Sequence, residues 1–295
     1  MEKATAVKIR SVFQLLRLPN VFTAMADVLA GYLIVSSGRF QGAALIGVLV
    51  TTSCLYSLGC ALNDLMDREV DRIERPTRPI PSQTVTIIEA VVISFVLAVV
   101  GLFAAMAAGP NALTVACLLI IVVVIYDTLA KAHRLWGPFT MAMCRALNLV
   151  LGMSVDLENI GPFWPLPLLT LAYVFSLTVL SRLEVGRRES GYKIHLVLGW
   201  VVFMTGVFVL LIVGVLKPVS VVYLGILLVT AGPPVFEALK SYRPEAVQRA
   251  VKVLILGIPV VDALYVSGAH GLALSMVVIA CILPSIYFAK RFYVT

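Results

Sequence analysis

The chain has 295 residues, 60% of them hydrophobic and 13% charged, with a mean hydropathy of +1.00 and a formal net charge of +7. A soluble domain carries about twice that share of charge, so a water-soluble globular enzyme is excluded. Ten-residue stretches of alternating polarity are absent, which excludes a membrane barrel and leaves an all-α, polytopic transmembrane bundle.

At about 20 residues per crossing, apolar segments fall near 20–37, 42–62, 86–108, 111–127, 139–155, 163–181, 194–216, 219–239, 250–267 and 271–289. The ninth is the weakest, because it carries Lys252, Pro259 and Asp262, so nine to ten helices are expected. Lys3, Lys8, Arg10 and Arg17 precede the first. If the ends alternate from there, one side collects Arg68, Arg72, Arg75, Arg78, Lys131, Arg134, Arg182, Arg187, Arg188, Lys193, Lys240, Arg243, Arg249, Lys252, Lys290 and Arg291, and the other only Arg39 and Lys217. That asymmetry puts the N-terminus in the cytoplasm and favours an even number of crossings. It also accounts for most of the net charge, so the lipid bilayer is the expected partner and nucleic acid is not.

Cys54, Cys60, Cys117, Cys144 and Cys281 all lie in apolar segments and form no CxxC pair, so they read as small buried hydrophobes. The first apolar segment begins after Pro19 and suits a retained helix rather than a cleaved signal. No low-complexity linker interrupts the chain, and residues 1–295 are expected to form a single membrane domain.

The most informative stretch is Asn63-Asp64-Leu65-Met66-Asp67-Arg68-Glu69-Val70-Asp71-Arg72, where the second apolar segment runs out into water. On a continuous helix Asp64, Asp67 and Asp71 share one face, with Asn63 a turn before Asp67. Carboxylates crowded in this way repel unless a cation holds them, and hard oxygen ligands suit Mg²⁺ bridged to a phosphate. Arg72, Arg75 and Arg78 follow at once, within Arg75-Pro76-Thr77-Arg78-Pro79-Ile80-Pro81. Acid for a metal beside base for a phosphate, at a membrane surface, points to chemistry on a lipid diphosphate. The bland alternative for the arginines is the positive-inside signal alone; the prolines that stiffen its loop single out Arg78.

Polar clusters also close the fourth and sixth segments, at Tyr126-Asp127-Thr128-Leu129-Ala130-Lys131 and at Ser181-Arg182-Leu183-Glu184-Val185-Gly186-Arg187-Arg188-Glu189. Lys131 can bind phosphate or merely anchor a helix, and Tyr126 can be an ordinary interfacial aromatic. Arg145 and Asn148 lie inside the fifth segment, where an arginine needs a polar cavity or a partner such as Asp127 or Asp27. Asp27 and Asp262 are intramembrane acids that can serve helix packing or, in a transporter, proton coupling. The three histidines have no ligand spacing.

The pattern Asn63-Asp64-x-x-Asp67-x-x-x-Asp71 followed by Arg75-Pro76-x-Arg78-Pro79 resembles the first signature of the UbiA superfamily of intramembrane prenyltransferases. Arg17-Leu18-Pro19-Asn20 is similar to that family's entry to its first helix, and Tyr126 with Lys131 to its loop after the fourth. The resemblance implies a helical bundle around a central cavity and an enzyme that moves an isoprenyl group from a prenyl diphosphate, with Mg²⁺, to an acceptor that the sequence leaves unknown. It implies Asp64, Asp67 and Asp71 as catalytic metal ligands with Asn63, and Glu184 as their partner from the sixth helix. Arg17, Asn20, Asn63, Arg72, Arg78, Tyr126, Lys131, Arg145, Arg182 and Arg187 are the candidate substrate contacts. The sixth-helix run departs from the family's second aspartate-rich signature, retaining Glu184 and Glu189 among arginines, so either Glu184 binds a second Mg²⁺ while an arginine takes a phosphate oxygen, or Arg182 or Arg187 replaces that second cation. Gln83 stands where the family commonly has glycine. The Ser181–Glu189 run and Ile258–Ala263 are similar to a UbiA-like branch found in bacterial Ebo-type operons, for which a bacterial inner membrane is the expected location. Two alternatives remain: a carrier for an amphipathic small molecule, and a catalytically silent protein of this family that binds lipid.

Overall fold

The computed structural model describes residues 2–37, 39–185 and 190–292, and side chains over 7–37, 39–183 and 193–291. Every regular element among the described residues is helical. Helix α1 (Glu2–Leu15) precedes the bundle and packs against its ends, with Ser11 and Leu15 buried. Arg17 then adopts a left-handed backbone (φ 46°) that separates α1 from α2 (Leu18–Ser36). Pro19 sits in the first turn of α2, where no backbone N–H is needed.

There follow α3 (Gly42–Met66), the short α4 (Arg68–Glu74), α5 (Ile87–Ala108), α6 (Pro110–Ile125) and α7 (Trp136–Met153). The second half holds α8 (Leu166–Ser181), α9 (Ser190–Ile212), α10 (Val221–Ser241), α11 (Pro244–His270), α12 (Leu272–Ala280) and α13 (Ile282–Phe292). Nine stretches among the described residues are long and apolar enough to cross a membrane, α12 and α13 forming one of them. The chain is a multi-pass integral membrane protein. The ninth segment expected from sequence is no weak one: α11 is 27 residues long, and its Asp262 is fully buried inside the bundle. The segment that falls short in apolarity is α7, which carries Arg145 and Asn148.

Burial sorts the helices into centre and rim. The most apolar windows of α2 and α11 are 78% and 72% buried, against 17% for α5. Helices α2, α8 and α11 supply much of the main core, including Tyr32, Tyr173 and Tyr265, with α7 packed against α2 and α8. The α2–α7 contact brings backbone against backbone. A methyl group on Gly31 would overlap the Leu149 carbonyl, and one on Gly152 the Val28 carbonyl, which is how small residues let membrane helices approach. On α5, by contrast, Phe95 and Phe103 face outward, toward lipid.

Two departures from helix regularity shape the site. Asp64, Asp67 and Asp71 do not lie on one continuous helix: α3 ends at Met66, Asp67 turns the chain (φ −85°, ψ 0°), and α4 starts afresh. The Arg68 guanidinium donates to the Leu65 carbonyl at 3.2 Å, closing the end of α3 with a side chain. The second departure follows α6, where Tyr126–Ala130 widens into a π turn, with the Lys131 N–H bonded to the Tyr126 carbonyl at 2.9 Å.

Candidate active site

The acidic end of α3 meets a stiff loop. After α4 the chain folds back through residues 75–86, with the Ser82 N–H bonded to the Arg78 carbonyl at 2.9 Å and the Val85 N–H to the Pro79 carbonyl at 3.1 Å. Ile80 and Val85 are buried against Leu15, Ala61, Leu65 and Ala90, so the loop is pinned to the bundle by apolar contacts. Gln83 takes a left-handed backbone (φ 59°), a conformation that glycine adopts without strain.

That anchoring sets Arg78 between two carboxylates. One nitrogen, Nη1, donates to Asp71 Oδ2 at 2.6 Å and to Asp64 Oδ1 at 3.2 Å. Asp64 also accepts from Arg17 at 3.1 Å, and the same Arg17 nitrogen donates to the Asn63 side-chain oxygen Oδ1 at 3.3 Å. Asp64 and Asp71 are 4% and 2% exposed, and charges so far from water need the partners they have. Lys131 pairs with Asp67. Asn63 turns its amide to Asp127 at 2.9 Å, and Arg182 donates to the Lys131 carbonyl at 2.6 Å. Asp64, Asp67, Asp71 and Asp127 thus interleave with Arg17, Arg78 and Lys131, with Arg182 closing one side.

Below this ring lies a cavity of about 670 Å³ including its open mouth. Arg17, Asn63, Tyr126 and Asp127 rim it, Leu55, Leu119, Val123 and Met141 form apolar wall, and Arg145 and Asn148 reach it from α7. Arg145 donates to Asp27 at 2.8 Å and to Thr23 at 2.9 Å, and its guanidinium stands 5.2 Å from the Tyr56 ring centre. Asn148 bonds Asp27 at 3.0 Å, the Ala24 carbonyl at 2.7 Å and Thr52 at 2.7 Å. Arg145 therefore both pairs with Asp27 and faces the cavity, joining two roles that the sequence posed as alternatives. Asn20 stands beside the Tyr56 hydroxyl.

Most of the expected residues converge here, but Arg72 does not. It pairs with Glu69 at 2.9 Å on the exposed side of α4, because the turn at Asp67 points that side away from the cavity. The Glu184 side chain and all of Arg187 lie outside the described residues. Asp127, Tyr56, Cys60 and Cys144 line the cavity but were not singled out as site residues. Tyr56, Cys60 and Asn63 recur on one helical face, which was the available signal.

Among the described residues, no three His, Cys, Asp or Glu side chains are gathered closely enough to hold an ion. The donor set nonetheless suits Mg²⁺: Asn63, Asp64, Asp67 and Asp71 offer hard oxygens, and Asp64 and Asp71 already stand on one shared cationic nitrogen.

Comparison with known proteins bears on this geometry. The model of the UbiA prenyltransferase family matches residues 24–255. The digeranylgeranylglyceryl phosphate synthase of Sulfurisphaera tokodaii is 28% identical over 173 residues, 59% of this chain and 62% of its own length. The same-named protein of Methanococcus maripaludis is 40% identical over 99 residues, 32% of this chain and 34% of its own. The match thus spans less than two thirds of either relative. Among solved structures, one concerned with digeranylgeranylglyceryl phosphate synthase in membranes aligns with a TM-score of 0.72 at 20% identity, covering 89% of this chain and 99% of that one. A UbiA homolog from Archaeoglobus fulgidus bound to DMAPP and Mg²⁺ gives 0.59 at 11% identity, covering 92% and 99%. These two likenesses establish a common fold.

Proposed function

The chain belongs to the UbiA prenyltransferase family, and on that premise we propose that it moves an isoprenyl group from a prenyl diphosphate to an acceptor, at the basic face of the bundle and on the cytoplasmic side. The observation that carries the reading is the joining of an acid–base mouth to an apolar-walled cavity. Arg17, Arg78 and Lys131 stand where diphosphate charge would collect, and Leu119, Val123 and Met141 below them suit a hydrocarbon tail.

Asn63, Asp64, Asp67 and Asp71 would hold Mg²⁺, which supplies positive charge to a departing diphosphate. The chain's own groups do the rest. Arg78, now shared between Asp64 and Asp71, can turn part of its fork to a phosphate oxygen, and Lys131 can do the same from Asp67. Donors fixed beforehand at the leaving oxygen favour bond breaking, because the charge grows where they already point. The apolar wall keeps water from the allylic carbon. Arg145 and Asn148 give the cavity a polar lining able to orient an acceptor. The relatives named for digeranylgeranylglyceryl phosphate make a prenylated glyceryl phosphate the first acceptor to test.

The test is diphosphate release from labelled geranylgeranyl diphosphate by purified protein. Release that needs both Mg²⁺ and acceptor, and falls on the order of 10²-fold or more in Asp64→Asn, is expected. No release with donors of any length would overturn the reading, and donor binding without release would leave a lipid-binding protein. A carrier is not favoured, since two of the three intramembrane groups it would use, Arg145 and Asp27, are bonded to each other and the third, Asp262, stands against Asp27.

A further inference from the structure

The cluster around Arg145 holds one more acid than it has positive charge to match. Asp27, on α2, is fully buried, and its Oδ2 accepts from both Arg145 and Asn148. Among the described residues its Oδ1 has no partner. Asp262, on α11, is also fully buried, and neither of its oxygens has a donor among the described residues. Its carboxyl stands against that of Asp27. The other titratable groups near the pair are the Tyr173 and Tyr265 phenols and the Cys281 thiol, none of which brings a positive charge.

Two carboxylates and one guanidinium would leave a net negative charge deep in a low-dielectric bundle. A bare charge there costs far more than a neutral acid does. The two acids are not equivalent. Asp27 accepts two hydrogen bonds, one from a cation, which is the setting of an ionised carboxylate. Asp262 accepts none, so an O–H on it would gain a partner in Asp27 Oδ1 and satisfy two of the three orphaned oxygens at once.

We propose that Asp27 and Asp262 form a buried proton-binding pair, with the proton carried by Asp262 and donated to Asp27 Oδ1. The cluster is then Arg145 positive, Asp27 negative and Asp262 neutral. Asp262 acts as a positioning residue: it holds Asp27, and Asp27 holds the guanidinium at the cavity wall over Tyr56. The same proton ties α11 to α2 and, through Arg145, to α7. The inference rests on the packing of three helices and stands whether or not the chain transfers prenyl groups.

The test uses infrared spectroscopy of the full-length protein in an ester-free detergent at pH 8, with choline as the monovalent cation. Wild type should show a protonated-carboxyl C=O stretch that is missing in Asp262→Asn. Since an amide N–H can donate to Asp27 as the acid does, that variant should melt within about 4 °C of wild type. Asp27→Asn, which takes the counter-charge from Arg145, should melt lower by about 10 °C. A carboxyl band unchanged in Asp262→Asn overturns the assignment. So does a melting temperature that rises when Na⁺ replaces choline at constant ionic strength, because the site would then hold a metal cation. Should Asp262→Asn fail to fold, Asp262→Ser provides a second neutral donor, and failure of both overturns the assignment of a neutral hydrogen-bond donor at this position.

Discussion

Arg78 ties the acidic helix end to the proline-rich loop, and its role separates two effects that a charge count would merge. Removing it leaves Asp64 and Asp71 close together without their shared cation, and also removes a donor from the diphosphate. Arg78→Ala should therefore lower kcat/KM for diphosphate release by about 10²–10³-fold. Arg78→Lys should recover only part of that, since an ammonium lacks the planar fork that serves a carboxylate and a phosphate together. Single-turnover release measured for both variants checks the order; equal activity of the lysine variant and wild type would remove the bidentate role. At this scale the sequence was informative where charge types cluster, as at Asn63, Asp64, Asp71, Arg78 and Lys131. It was less so for Asp127, an acid at the end of an apolar run whose partner Asn63 lies 64 residues away. Arg72 misled because its place on the charged run counts for nothing once the helix turns at Asp67.

Helices α2 and α7 are joined by Gly31 and Gly152, and that contact carries the Arg145 cluster with it. The polar bonds from Thr23, Asp27 and the Ala24 carbonyl to Arg145 and Asn148 all cross the same interface. A larger side chain at the crossing must push the helices apart and lengthen those bonds together. Gly152→Leu should destabilise the protein by ~3 kcal/mol or more, read as a lower melting temperature in detergent, while Gly225→Leu on α10, where a Cβ meets nothing within 4 Å, should cost far less. The helical class and most segment limits were readable because lipid demands about 20 apolar residues per crossing. The ranking of segments was not. Hydropathy scores Asp262 and Lys252 as defects in α11, whereas packing against α2, α8 and α10 makes that helix central. The break between α3 and α4 was likewise hidden, because residues 63–72 keep a helical spacing of carboxylates through the turn.

For the whole molecule, the bonds at the mouth gather the ends of α3, α6 and α8 with the start of α2 on one face. The loop bearing Asp156 and Glu158 follows α7 at its far end. The charge asymmetry of the sequence supports the proposal that the first face is cytoplasmic. In inside-out vesicles carrying single cysteine substitutions, a membrane-impermeant maleimide should label Glu74→Cys and spare Glu158→Cys, with the reverse in right-side-out vesicles; the opposite pattern would invert the proposed orientation. The general layout of a cavity beneath a polar mouth followed from the family resemblance, and the depth of Arg145 from its place in an apolar segment, while the choice of Asp27 as its partner and the joining of the cluster to α11 came only with the packing.

The π turn at Tyr126–Ala130 is the last turn of its helix, and the chain passes into turns from Lys131 onward. A turn closed by an i+5 bond is wider than the roughly 3.6 residues of an α turn. The apolar stripe of Leu119 and Val123 still runs on into Asp127, which lines the same cavity. Asp127 and Lys131 stand four residues apart and meet Asn63 and Asp67, also four apart at the end of α3. The two helix ends therefore engage as a ladder of two rungs, with a hydrogen bond on one and an ion pair on the other.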